Sequence, residues 1–177
     1  MLEIQVPISL EEWDEKNQMF IPPKTVKLQL EHSLISLHKW ESKWHKPFFS
    51  KDEKSPEETI DYIKCMTLTQ NVNPDIYEML SDSNVAEIQD YIADPMTATT
   101  FSEKNSGKGS REIVTAELVY YWMLSLNIPF ECRKWHINQL LTLIRVCNVK
   151  NEPPKKRSRS ELINHHRAVN AARRKKP

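Results

Sequence analysis

The chain has 177 residues, of which 39% are hydrophobic and 28% charged, the proportions of a globular domain rather than a disordered one. Its two glycines, Gly107 and Gly109, are too few for the turns and phosphate cradles of a dinucleotide-binding fold. Its three cysteines, Cys65, Cys132 and Cys147, do not have the number or spacing of a disulfide framework. The net charge of +1 conceals two opposed parts. Residues 153–177 carry Lys155, Lys156, Arg157, Arg159, Arg167, Arg173, Arg174, Lys175 and Lys176 against Glu161 alone, a net +8, and residues 1–152 carry a net −7. An acidic body with a basic arm is the pattern of an interaction tail.

In chain order, Leu2, Ile4, Val6 and Ile8 alternate with Glu3 and Gln5, and Val26, Leu28 and Leu30 alternate with Lys27, Gln29 and Glu31. A period of two marks strands with one buried and one wet face. Asp14 to Asn17 reads as a polar turn between Trp13 and Met19-Phe20, and Pro22-Pro23 interrupts the chain before the last strand. Residues 1–31 are therefore expected to form a small antiparallel β unit.

Helical spacing follows. Ser33 is placed to cap a helix carrying Leu34, Leu37, Trp40 and Trp44 on one face, ended by Pro47. Ser55-Pro56-Glu57-Glu58 is a second helix start, with acids at the positive end of the dipole. Short helices are expected over Pro74–Leu80 and Asn84–Ile92, then an irregular stretch over residues 94–110. A long helix is expected over Arg111–Leu126, with Ile113, Ala116, Val119, Tyr120 and Met123 as its apolar stripe and Pro129 closing it. The last core helix spans Lys134–Cys147, with Ile137, Leu140, Leu141, Ile144 and Cys147 inward. These helices make residues 32–152 a helical body.

Pro153-Pro154 marks the start of the basic tail, 153–177. There Ser158 and Glu161 fit a capping box, and Leu162, Ile163, Val169, Ala171 and Ala172 supply a thin apolar face. A helix this short is marginal alone and orders against a partner. The fold class is α+β: an N-terminal antiparallel β unit, a mainly helical bundle and a basic C-terminal tail that is helical when ordered. Met1 to Pro7 has no basic or long apolar leader pattern, and no stretch approaches the ~20 apolar residues of a membrane span. The expected setting is a reducing cytosol without membrane contact.

No motif for chemistry emerges. Gly107-Lys108-Gly109-Ser110 lacks the spacing of a phosphate-binding loop and reads as a polar loop. His32, His38 and His45 are not at the i, i+4 spacing of a helical zinc pair. Cys132 and His136 lie four apart, but a catalytic cysteine meets its histidine through the fold rather than through short spacing. The acidic pairs Glu11-Glu12 and Glu57-Glu58 read as solvated helix ends. No catalytic residue, metal ligand or cofactor is expected. Candidate partner contacts are Trp40 and Trp44, within the aromatic and lysine-rich stretch Lys39–Phe49, and the nine basic residues of the tail. Trp40 and Trp44 are also good core fillers. Aromatics beside lysines stack on bases or anchor a protein interface, and nine basic groups neutralise phosphates or dock on an acidic protein.

Three stretches carry a resemblance. These are Leu30 to Phe49 (Leu-Glu-His-Ser-Leu-Ile-Ser-Leu-His-Lys-Trp-Glu-Ser-Lys-Trp-His-Lys-Pro-Phe-Phe), Asp94-Pro-Met-Thr-Ala-Thr-Thr-Phe101, and Ala168-Val-Asn-Ala-Ala-Arg-Arg-Lys-Lys176. The chain resembles, along most of its length, small virion-morphogenesis proteins of long-tailed bacteriophages, and most nearly their tail assembly chaperones. The resemblance implies a non-enzymatic protein of the host cytoplasm. Its helical body would engage the tape-measure protein while tail-tube subunits polymerise, and its C-terminal extension would engage another tail component. That family is largely helical, so the β-rich N-terminus departs from it. This departure leaves a head–tail joining or minor virion protein as an alternative, beside a nucleic-acid-binding accessory protein that uses the basic tail.

Overall fold

The computed structural model describes residues 1–9, 12–14, 18–21, 23–101, 113–151, 163, 164, 167 and 170. Sequence alternation becomes, among the described residues, four strands: β1 (Leu2–Pro7), β2 (Glu12–Asp14), β3 (Met19–Ile21) and β4 (Thr25–Leu30). The expected β unit divides into two antiparallel pairs, β1 with β4 and β2 with β3. Leu2 lies opposite Leu30 and Pro7 opposite Thr25. Ile4, Val6, Leu28 and Leu30 are buried on one face, while Glu3 and Lys27 form an ion pair on the wet face. A two-stranded ribbon is marginal alone, and this one is stabilised by the helices that cover its apolar face.

The helices α1 (Leu34–Trp44), α2 (Pro56–Met66), α3 (Asp82–Ala93), α4 (Ala116–Ser125) and α5 (Ile137–Asn151) follow, with 3₁₀ turns at Pro74–Met79 and Phe130–Lys134. The architecture is a small α+β fold. The first three α-helices begin with reciprocal caps, Ser33 with Ser36, Ser55 with Glu58, and Ser81 with Asn84. Each such cap contributes about 1 kcal/mol.

Several boundaries differ from the sequence reading. α1 ends at Trp44 and not at Pro47, because His45 adopts a left-handed cap (φ 54°) and donates its N–H to Glu41 O at 2.8 Å. The Pro74–Met79 helix is 3₁₀. The helix expected from Arg111 starts at Ala116, because the Thr115 side chain accepts the Leu118 N–H and caps it there. Ile113, expected in the stripe, precedes that helix and is 50% exposed. The helix ends before Pro129, which opens the 3₁₀ turn; Asn127 turns the chain at φ 53°. α5 starts at Ile137 rather than Lys134, because Phe130–Lys134 is the 3₁₀ turn and Ile137 N donates to His32 O at 2.7 Å. Leu141 and Cys147 are only partly buried.

The core gathers Leu34, Leu37 and Trp40 of α1, Tyr62, Ile63 and Met66 of α2, Ile88 and Tyr91 of α3, Ala116, Val119 and Met123 of α4, and Ile137, Leu140 and Ile144 of α5. Each large aliphatic side chain in it contributes about 1.5–3 kcal/mol through burial.

The chain divides into two compact units, Met1–Cys147 and Asn148–Pro177. In the second, Ile163, Asn164, Arg167 and Asn170 are helical. The capping pair Ser158 and Glu161, the tail's basic residues other than Arg167, and the Gly107–Ser110 loop lie outside the described residues.

Candidate protein-binding surface

The two tryptophans part company. Trp40 is 1% exposed, its indole N–H donates to Glu58 O at 2.9 Å, and its ring meets Phe48 edge-on at 5.3 Å. Trp40 is therefore corrected from a partner contact to a core residue; α1 turns it toward α2 because it shares the buried face of Leu37. Trp44 is half-buried at a groove of about 500 Å³ that Lys43, Ile60, Asp61 and Lys64 also line.

The electrostatics of that groove are those of a closed network. Trp44 Nε1 donates to Asp61 Oδ2 at 2.9 Å, and the Lys43 ammonium pairs with Asp61 Oδ1. Burial raises the Asp61 pKa, but the hydrogen bonds from Lys43 and Trp44 outweigh it and hold the carboxyl below its ordinary range. Lys46 pairs with Glu58 at 2.6 Å, and Lys54 lies over the Phe48 ring at 4.3 Å while donating to Phe48 O at 2.9 Å. The charges of Lys43 and Lys46 are thus matched by carboxylates.

The chemical candidates have structural employment. His136 Nε2 donates to Tyr91 O at 3.0 Å, while its Nδ1 accepts the Asn138 N–H at 3.3 Å. That assigns the neutral Nε2–H tautomer and leaves neither nitrogen for Cys132. His32 bonds the Tyr62 hydroxyl through Nδ1 and packs edge-on to His136 at 5.0 Å. Burial, and then the neighbouring His136, push the His32 pKa down to about 3. Burial also lowers that of His136. Glu58, expected as a solvated helix end, is buried. It closes the α2 cap by accepting the Ser55 N–H at 2.9 Å, and the Lys46 and Ser55 hydrogen bonds lower its pKa. Among the described residues, no three His, Cys, Asp or Glu side chains are arranged to hold a metal ion. All three cysteines are free thiols; Cys132 is buried, and Cys65 and Cys147 are partly covered.

The surface that stands out is the outer side of α4. α4 reads Ala-Glu-Leu-Val-Tyr-Tyr-Trp-Met-Leu-Ser, with a single charge at Glu117. Ala116, Val119 and Met123 fill the core, yet Tyr121 is 63% and Leu124 is 70% exposed on the other side. A surface helix ordinarily presents polar residues there. Phe130, also exposed, stacks with Tyr120 at 5.6 Å and carries the Arg133 guanidinium over its ring at 4.5 Å. Tyr121 and Leu124, three positions apart, form a ridge of the kind a second helix packs against. The signal was legible: the positions between the inward stripe, Leu118, Tyr121, Trp122 and Leu124, are apolar as well.

Comparison of the chain with protein-family models, with curated proteins and with solved structures finds no match. No helix among the described residues is long and apolar enough to cross a membrane.

Proposed function

We propose that the chain is a non-enzymatic binding protein whose docking surface is the outer face of α4, and that its partner is an amphipathic helical segment of another protein. The observation that carries this reading is the exposure of Tyr121 and Leu124 on a helix whose opposite face is core. Exposed aromatic and aliphatic clusters mark interfaces, and tyrosine is enriched among residues that dominate binding energy. The resemblance to tail assembly chaperones supplies the identity of the partner. The body holds the apolar helical repeats of a tape-measure protein in the host cytoplasm, and the basic tail recruits a tail-tube component. The employment of His32, His136 and Glu58 in the fold supports a role through surfaces.

Co-expression with a long-tailed phage's tape-measure protein tests this. The tape measure is expected in the soluble fraction, co-purifying with the chain. A tape measure that remains insoluble to the same extent with and without the chain would overturn the reading.

The nine basic residues of the tail, of which the described Arg167 is exposed, support a second reading, an accessory protein that binds nucleic acid. That reading requires affinity that falls steeply with salt, with a slope of about −0.9 per phosphate contacted, and that disappears when residues 155–177 are removed.

A further inference from the structure

The two outer edges of the β1–β4 ribbon are treated differently. Ile8 N donates to Lys24 O at 2.8 Å, which fixes the phase of the ladder: Val6/Val26, Ile4/Leu28 and Leu2/Leu30 are the hydrogen-bonded pairs. The main-chain groups of Gln5 and Pro7 therefore face outward on β1, and those of Thr25, Lys27 and Gln29 face outward on β4. On β1 the edge is blocked, because Pro7 has no N–H and Gln5 O accepts the Asn84 side-chain amide at 3.2 Å. On β4 the chain itself covers only one end. Leu68 N donates to Gln29 O at 2.8 Å, Gln29 N donates to the Thr69 hydroxyl at 2.9 Å, and Glu31 N donates to Met66 O at 2.9 Å. Asn71, at φ 56°, then follows in a left-handed turn, and among the described residues nothing pairs with Lys27 N–H or C=O. The Lys27 ammonium pairs with Glu3 on the wet face of the ribbon.

On the core face of the same stretch lies a cavity of about 430 Å³ whose lining is half apolar, from Ile8, Val26, Val72, Ile76 and Met79, and half polar, from the Thr69–Asn71 turn with Asn73 and Asp75. Val26 belongs to the buried-face series of β4, so a strand added along Thr25–Lys27 would direct alternate side chains into this cavity. We infer that the Thr25–Lys27 edge of β4 is a strand-addition site for an extended segment of a partner protein, with one medium-sized apolar side chain of that segment seated beside Val26 and Met79. The occupant is an extended chain and not a helix, because outward main-chain N–H and C=O groups are matched only by another main chain. The Met66–Leu68 segment already pairs in this way with the adjoining residues. This surface does not depend on the reading of α4.

The test is amide hydrogen exchange on the full chain with capped heptapeptides in which threonine alternates with valine, isoleucine, leucine, methionine or phenylalanine. At saturation, at least one peptide is expected to slow exchange at Lys27 by about tenfold or more, without changing Val6 or Leu28, and to shift the Met79 methyl resonance. N-methylation of the amides facing the edge should abolish the effect. Lys27→Pro removes the outward N–H together with the ion pair to Glu3 and should abolish the Met79 shift, and Met79→Glu, which leaves the edge intact and fills the cavity with charge, should abolish the protection of Lys27. Unchanged Lys27 exchange with every peptide, or undiminished binding by both variants, overturns the inference. Protection of Lys27 that grows with protein concentration in the absence of peptide assigns the edge to a second copy, and equally overturns it.

Discussion

The carboxylate of Glu41 accepts the backbone N–H of Ala116 at 2.7 Å, so a side chain of α1 holds the first turn of α4. Its other oxygen accepts the Phe48 N–H at 2.8 Å, and Glu41 is buried. One acid thereby satisfies two buried donors from segments far apart in the chain, and it does so at the positive end of the α4 dipole. Glu41→Ala strands both donors and should cost about 3 kcal/mol. Glu41→Gln keeps one acceptor and should cost less. Urea unfolding of the two variants against the parent measures both.

Stability should fall with acid before the carboxylates titrate. The folded pKa of His32 is depressed to about 3 from the ordinary 6.5, chiefly by burial. The unfolded chain therefore takes up a proton below pH ~6.5 that the folded chain refuses until near pH 3. The associated stability is fully present above pH 6.5 and is lost progressively as pH falls toward 3. Between pH 7 and pH 5 the loss from His32 is on the order of 2 kcal/mol, and His136 adds in the same direction. Glu58 and Asp61, held low by their partners, lose their contributions only at lower pH. Urea midpoints at pH 7, 6 and 5 should decline steadily, and His32→Asn should flatten the decline even though it lowers the starting value.

The neighbouring tryptophans should behave unequally. Trp40→Ala leaves a cavity among Phe48 and Tyr62 and frees Glu58 O, at a cost of about 3–5 kcal/mol. Trp44→Ala removes a half-exposed ring and one bond to Asp61 and should cost about 1 kcal/mol. Thermal unfolding of each variant gives the comparison, and equal costs would contradict the placement of Trp40 in the core.

Much of the fold can be read from the chain because its signals are local. Ser33, Ser55 and Ser81 cap helices as serines do, and the alternation of Leu2, Ile4 and Val6 fixes which face of β1 is buried. What sequence could not show depends on contacts distant in the chain. The start of α4 is set partly by Glu41, and that of α5 by the carbonyl of His32. Glu58 is buried because Lys46 and its own cap cover it. Trp40 and Trp44 lie on one helical face, and only the packing of α2 decides which of them reaches solvent. The outer face of α4 was legible as excess apolarity, but the inward stripe accounted for the helix without it.

Polar substitutions on that face should separate folding from binding. Tyr121→Ser and Leu124→Ser remove exposed groups and should change stability by no more than about 0.5 kcal/mol, while together they should weaken binding to an apolar helical partner by at least about tenfold. Calorimetric titration beside thermal unfolding measures both quantities.

The most direct measurement is photocrosslinking in cells that co-express the tape-measure protein, with benzoylphenylalanine at position 124 and, separately, in place of the exposed Glu87 of α3. An adduct with the tape measure from position 124, with little or none from position 87, is the predicted result. Equal yields from the two positions, or no adduct from position 124, would contradict the assignment of the outer face of α4 as the docking surface.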